Sequence, residues 1–194
     1  RVDLGLEDDL VAVRERRAGE AAVEVVSGIN VDRDVGLPLP VALIHGGGHQ
    51  DYYGNEIYAF DLSTRKWSRV TNPYKGPFNW GYSTGTFPDG SPVAPHTYDQ
   101  VEYYPPTNSF LRLRSEKDNV GGNNVGVAHM FSFDDKRWIR SPANSSNHYQ
   151  SGGWSAFDSR RNVFWAEAGG GSGVFAKFDP KVANSDGTQG QWTN

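Results

Sequence analysis

Two short strings in this chain have the spacing of serine hydrolases. His45-Gly46-Gly47-Gly48 follows the apolar run PVALI, as an oxyanion-hole loop does, and Gly81-Tyr82-Ser83-Thr84-Gly85 spells the G-x-S-x-G of a nucleophile elbow. A second chemistry is metal binding. His45 and His49 stand four residues apart, with Asp51, Glu56 and His96 as further oxygen and imidazole donors. A third is glycosidic-bond cleavage by paired carboxylates, for which Asp51, Glu56, Glu102, Asp118 and Glu167 are available. The glycine-rich GGGSG at residues 169–173 invites phosphate binding, and Asn144-Ser145-Ser146 is a glycosylation acceptor. Thiol chemistry, disulfides and thiolate metal sites are excluded, because the chain has no cysteine.

Each of these chemistries needs a particular element to position it. An elbow lifts its Ser between a buried strand and a helix. Here NPYKGPFNW precedes Ser83, and the TFPDGSP that follows carries two prolines, which forbid a helix. The glycines between His45 and His49 prevent the helix that would align the two rings, and no closed ligand set stands at fixed spacing. GGGSG is followed by VFAKFDP, a strand pattern and not the helix a phosphate loop requires. The carboxylates have no separations that a sequence can give. The expectation is therefore no metal, no cofactor and no assigned catalytic residue.

Composition describes the scaffold. The 194 residues are enough for one domain with a real core. They include 6 Trp, 9 Tyr, 10 Phe, 23 Gly and 11 Pro, a strand-and-turn composition that predicts an all-β chain. The net charge of −4 lacks the basic field that nucleic acid or an anionic membrane attracts. No run approaches the roughly 18 apolar residues of a spanning helix. The first twenty residues carry no signal-like apolar run, so a chain opening on Arg1 reads as a processed or trimmed product.

A pattern recurs along the chain: an aromatic strand, a turn, an apolar strand ending in glycines, a strand ending in Asp, then Trp. It runs as VALIHGGGHQDYYGNEIYAFDLSTRKWSRV, as VEYYPPTNSFLRL continuing to AHMFSFDDKRW, and as WSAFDSRRNVFWAEAGGG continuing to VFAKFDP and QW. Phe60-Asp61, Phe133-Asp134 and Phe178-Asp179 are expected to correspond, as are Trp67, Trp138 and Trp192. The tryptophans lie 71 and 54 residues apart, so inserted loops stretch a period of about 50. Residues 23–32 read as a first strand for the first repeat, with 33–40 as its turn. Residues 1–22 stay unassigned.

These segments resemble kelch repeats of the galactose-oxidase-like β-propeller superfamily, GGGHQDYYGNEIYAFDLSTRKW most of all. The resemblance implies an all-β propeller segment of about three four-stranded antiparallel blades, near residues 23–70, 96–140 and 149–194. Propellers close with roughly four to eight blades, so the ring is expected to be incomplete within this chain. The ending GTQGQWTN reads as truncation, and further blades are expected from a longer chain or another copy. The copper-radical oxidases of the superfamily use a Tyr cross-linked to a Cys, which no residue here supplies.

Propeller topology sends the second-to-third-strand loops and the links between blades to one face, and here those are the long ones. They carry aromatic, amide and carboxylate side chains suited to a sugar, whose apolar ring face stacks while its hydroxyls take hydrogen bonds. The expected ligand-binding residues are His49, Asp51, Tyr52, Asn55 and His96. The expected function is a non-catalytic module binding a carbohydrate or protein ligand, in an extracellular or periplasmic setting. The alternative is a carbohydrate-active lyase, hydrolase or oxidase using loop carboxylates and His.

Overall fold

The computed structural model describes residues 41–45, 54–76, 85–93, 100–113, 127–142, 153–167 and 175–193. They form eleven strands: β1 (Val41–His45), β2 (Ile57–Asp61), β3 (Lys66–Arg69), β4 (Val101–Tyr104), β5 (Ser109–Arg112), β6 (His129–Ser132), β7 (Arg137–Arg140), β8 (Trp154–Asp158), β9 (Val163–Glu167), β10 (Phe175–Ala183) and β11 (Gln189–Thr193). The strands make three sheets ordered β1-β2-β3, β4-β5-β6-β7 and β8-β9-β10-β11, and every pairing is antiparallel. The one helical segment among the described residues is the single turn Pro105–Thr107. The chain is all-β, as composition predicts, and its sheets are blade-like. The expected first strand at 23–32 and the unassigned residues 1–22 lie outside the described residues. No helix among the described residues is long and apolar enough to cross a membrane.

Four of the hairpins use one turn. Asp61 pairs with Lys66, Tyr104 with Ser109, Ser132 with Arg137 and Asp158 with Val163, leaving a four-residue loop each time. The fourth loop residue always has positive φ: Arg65 (57°), Asn108 (44°), Lys136 (54°) and Asn162 (53°). The residue before the loop satisfies the turn's free amides. Asp61 Oδ1 accepts from Ser63 N and Thr64 N, Ser132 Oγ from Asp135 N, and Asp158 Oδ1 from Arg160 N and Arg161 N. Tyr104 offers no cap, but Pro105 and Pro106 have no N–H to satisfy.

This turn corrects the sequence alignment of the repeats. Phe60 lies opposite Trp67, Phe131 opposite Trp138, and Phe178 opposite Trp192, with ring centroids 4.9, 5.2 and 4.9 Å apart. The equivalents are thus Phe60, Phe131 and Phe178, and Ser132 takes the place of Asp61. Phe133-Asp134 lies two residues on, inside the turn, where Asp134 accepts a hydrogen bond from Asn108 Nδ2.

The middle sheet is covered on both faces, so β4, β5 and β6 are buried at every residue. Alternation sends Val101, Phe110 and Phe131 against Leu43 and Ile57 of the first sheet, with Trp138 at the margin. It sends Tyr104, Leu111 and Met130 against Phe164 and Phe178 of the third sheet, with Ile139, Phe157 and Trp192 around them. In both interfaces the Phe–Trp face of one sheet meets the preceding sheet. Fully burying side chains such as Phe110, Leu111, Phe164 and Phe178 contributes about 1.5–3 kcal/mol each. One glycine is dictated by this core: Gly190 in β11 has φ of 96°, and a Cβ there would overlap the Phe178 ring.

Candidate functional site at the long-loop end

The two ends of the sheets differ in character. The four-residue turns gather at one end. At the other lie the strand ends from which the chain leaves β1 for β2, β3 for β4, β5 for β6, β7 for β8 and β9 for β10. Buried polar side chains concentrate at this second end: His45 closes β1, Glu56 precedes β2, Arg112 closes β5, His129 opens β6 and Gln100 precedes β4.

His45, Arg112 and His129 meet between the first and second sheets. Arg112 and His129 are cross-strand partners on the face that looks toward β1. Arg112 is wholly buried and donates from Nη1 to the Val93 carbonyl at 2.6 Å. His129 Nε2 lies 2.9 Å from the Thr86 hydroxyl, while its buried Nδ1 meets no hydrogen-bond partner among the described residues. His45 Nδ1 lies 3.2 Å from the Glu56 carbonyl, an oxygen that only accepts, so Nδ1 carries the proton. The His45 ring packs edge-on to Phe110 at 5.4 Å and lies 5.7 Å from Trp138.

Burial and charge set the protonation states. Loss of water pulls His45 down to about 3, and the Arg112 guanidinium adds to this against the Glu56 hydrogen bond. Burial also holds His129 well below its ordinary value, helped by Arg112, His45 and Arg140. Both imidazoles are therefore neutral near pH 7, and Arg112 is the fixed positive charge among them. Beside them Tyr58 donates to Glu56 Oε1 at 2.8 Å. Burial and that hydrogen bond push the phenol up to about 12.

Of the predicted ligand residues, His49, Asp51, Tyr52 and His96 lie outside the described residues. Asn55 is at the expected end but faces inward. Its Nδ2 donates to Ser91 Oγ and the Pro92 carbonyl, both at 2.8 Å, and its Oδ1 accepts from Tyr74 N at 2.8 Å. Asn55 thus ties two parts of the β3–β4 link to the base of the β1–β2 loop. The G-x-S-x-G string leads into residues 85–93, which form a Thr86–Pro92 bridge closed by a tight turn and not the helix an elbow needs. Arg112 and His129 were not among the predicted site residues. Their signal is present in SFLRLR and AHMFSF, where alternation puts both on the same face as Phe110 and Phe131.

Among the described residues no group of three His, Asp or Glu side chains is placed to hold a metal ion. A second polar seam joins the second and third sheets, where Ser155 Oγ donates to Glu102 Oε1 at 2.8 Å and Gln100 Nε2 to the Glu167 carbonyl at 3.0 Å. The arrangement sets one buried positive charge and two neutral imidazoles at the end of the sheets from which the longer connections leave. No protein-family model matches the chain, and a search of curated proteins finds no similar sequence.

Proposed function

We propose that this chain is a segment of a kelch-type β-propeller whose long-loop end binds a carbohydrate without turning it over. The observation that carries the reading is the asymmetry of the sheets. One end is built from four copies of the same minimal turn, while the other holds buried His45, Arg112 and His129 under longer connections. A scaffold alone gains nothing from desolvating a guanidinium and two imidazoles at one end, whereas a recognition surface needs loops seated on a stiff polar floor. The protonation states of the two buried imidazoles support a reading without turnover. Imidazoles pulled far below neutrality by burial are poor proton carriers at pH 7, where general acids and bases work best with matched pKa values. The loop residues His49, Asp51, Tyr52 and His96 are the proposed contacts, and an extracellular or periplasmic setting, where glycans are met, suits such a module.

A glycan array followed by product analysis tests this. Retention of a glycan with no released or unsaturated sugar is the expected result, with His49→Ala and Tyr52→Ala losing retention at unchanged Tm. Released sugar would make the chain a carbohydrate-active enzyme. Retention of protein ligands alone would remove the carbohydrate reading.

A further inference from the structure

The row of nitrogen-bearing side chains does not stop at His129. His129 is the cross-strand partner of Arg140 on β7, so Arg112, His129 and Arg140 stand side by side on one face of the second sheet. The row runs from full burial at Arg112 and His129 to exposure at Arg140. Where it reaches solvent there is a groove of about 470 Å³. Thr86 and Phe87 of the β3–β4 link form one wall, Arg137, Trp138 and Arg140 of β7 the floor, and Gly187 of the β10–β11 turn the far end. Its volume is in the range of small-molecule sites.

The charge of this groove is opposite to that of the chain. The protein carries a net −4, yet among the described residues two arginines and no carboxylate line the groove. Three described acids stand near it: Asp89, between the lining Pro88 and Gly90, accepts hydrogen bonds from Ser91 N and Oγ, and Asp135 and Asp186 flank β7 and Gly187. Asp135 lies 3.8 Å from Arg137 Nε in an exposed pair worth little in water. Asp186 is kept acidic mainly by hydrogen bonds from Thr188, with Arg140 the weakest contribution. Deeper in, Thr86 is held by His129 Nε2, so one wall is anchored to the buried polar cluster.

We infer that this groove is the subsite for an acidic saccharide, the Arg140 guanidinium taking a ring carboxylate while Thr86 and Trp138, which shares the Arg140 face of β7, border the sugar. The inference rests on the carbohydrate reading above and names the ligand class for a groove that runs along the β7 edge from that end. The guanidinium fork suits a planar carboxylate, which it binds through two parallel hydrogen bonds. Trp138 supplies the aromatic boundary that sugars favour, and its packing against Phe131 and Phe110 fixes its position.

Calorimetric titration of the full chain with three probes tests the inference: a galacturonate oligosaccharide, its neutral methyl ester and inorganic sulfate. The acid should bind at least tenfold more tightly than the ester and than sulfate, and this preference should weaken as salt rises. Arg137→Gln with Arg140→Gln, both at exposed positions, should abolish the preference with Tm unchanged; Arg140→Lys should retain only part of it. Equal binding of acid and ester, or full affinity in the double variant, overturns the acidic subsite. If neutral glycans still bind in that case, the carbohydrate reading stands without it. Sulfate binding as tightly as the acid reduces the groove to an anion site and overturns the saccharide. If no saccharide of either kind binds, the proposed function falls and the subsite with it.

Discussion

His45 and His129 are neutral when folded and ordinary imidazoles when unfolded, which makes stability depend on pH. Below the unfolded value of about 6.5, the unfolded chain takes up protons that the folded chain refuses until near pH 3 at His45. Stability is thus full above about pH 7 and falls as pH drops through the window from 6.5 toward 3. The slope reaches about 1.4 kcal/mol per pH unit for each imidazole. Urea midpoints at pH 7, 5.5 and 4.5 should decline steadily, and His129→Gln should flatten the decline. A midpoint constant over that range would contradict the buried neutral pair. Asn55 makes a second residue-scale prediction. Removing its amide strands Tyr74 N–H and the Pro92 carbonyl, so Asn55→Ala should cost about 1–3 kcal/mol. Combining it with Ser91→Ala should cost less than the sum, since the two side chains share a hydrogen bond. A thermal melt of the single and double variants measures both. The sequence indicated this end of the molecule through its loop lengths, but not Arg112 or His129. A charged residue within a strand ordinarily marks the solvent face, so although alternation puts Arg112 on the face of Phe110, only the packing of the first sheet against that face shows it buried.

At the scale of the element, the four-residue turn explains both what the sequence disclosed and where it misled. The Trp positions and the Asp-rich turns were readable because their spacing is fixed by hairpin geometry. Phe133-Asp134 misled because it repeats the letters of Phe60-Asp61 two residues late, and the partner is chosen by the distance to Trp, with Phe131 and Phe60 both opposite the ring. The constant feature is a conformation that letters do not spell: positive φ at the fourth position, filled by Arg, Asn, Lys and Asn. Asn tolerates that region, whereas Arg and Lys carry the usual Cβ penalty there. Arg65→Gly and Lys136→Gly should therefore be neutral or stabilising. Arg65→Val and Lys136→Val, β-branched at the same φ, should destabilise by about 1–2 kcal/mol. Asn162→Gly should change little. Chemical denaturation of this set reads the ranking, and a Val variant as stable as the parent would mean the turn relaxes to another type.

Across the whole molecule, the middle sheet holds the other two through opposite sides of the same strand. Phe110 belongs to the interface with the first sheet and Leu111, its neighbour in β5, to the interface with the third. The two cores share a backbone but no side chains, so perturbing one should leave the other closed. This was only half readable from sequence, because VEYY, SFLR and HMFS mix apolar and polar residues on both faces and do not say which sheet covers which. The pairing that did emerge, a Phe–Trp face against the preceding sheet, occurs at both described interfaces and gives the stack its direction. Phe110→Leu and Leu111→Val each remove packing on the order of 1 kcal/mol while keeping an apolar residue in place. Amide hydrogen exchange should separate them. Phe110→Leu should speed exchange in β1 and β2, which lean on that face, and leave β9 and β10 protected. Leu111→Val should do the reverse. In the double variant the losses of stability should add to within about 0.5 kcal/mol, as expected of sites without common partners. If either single variant speeds exchange in both outer sheets equally, the three sheets open as one cooperative unit and the division into separable interfaces is wrong.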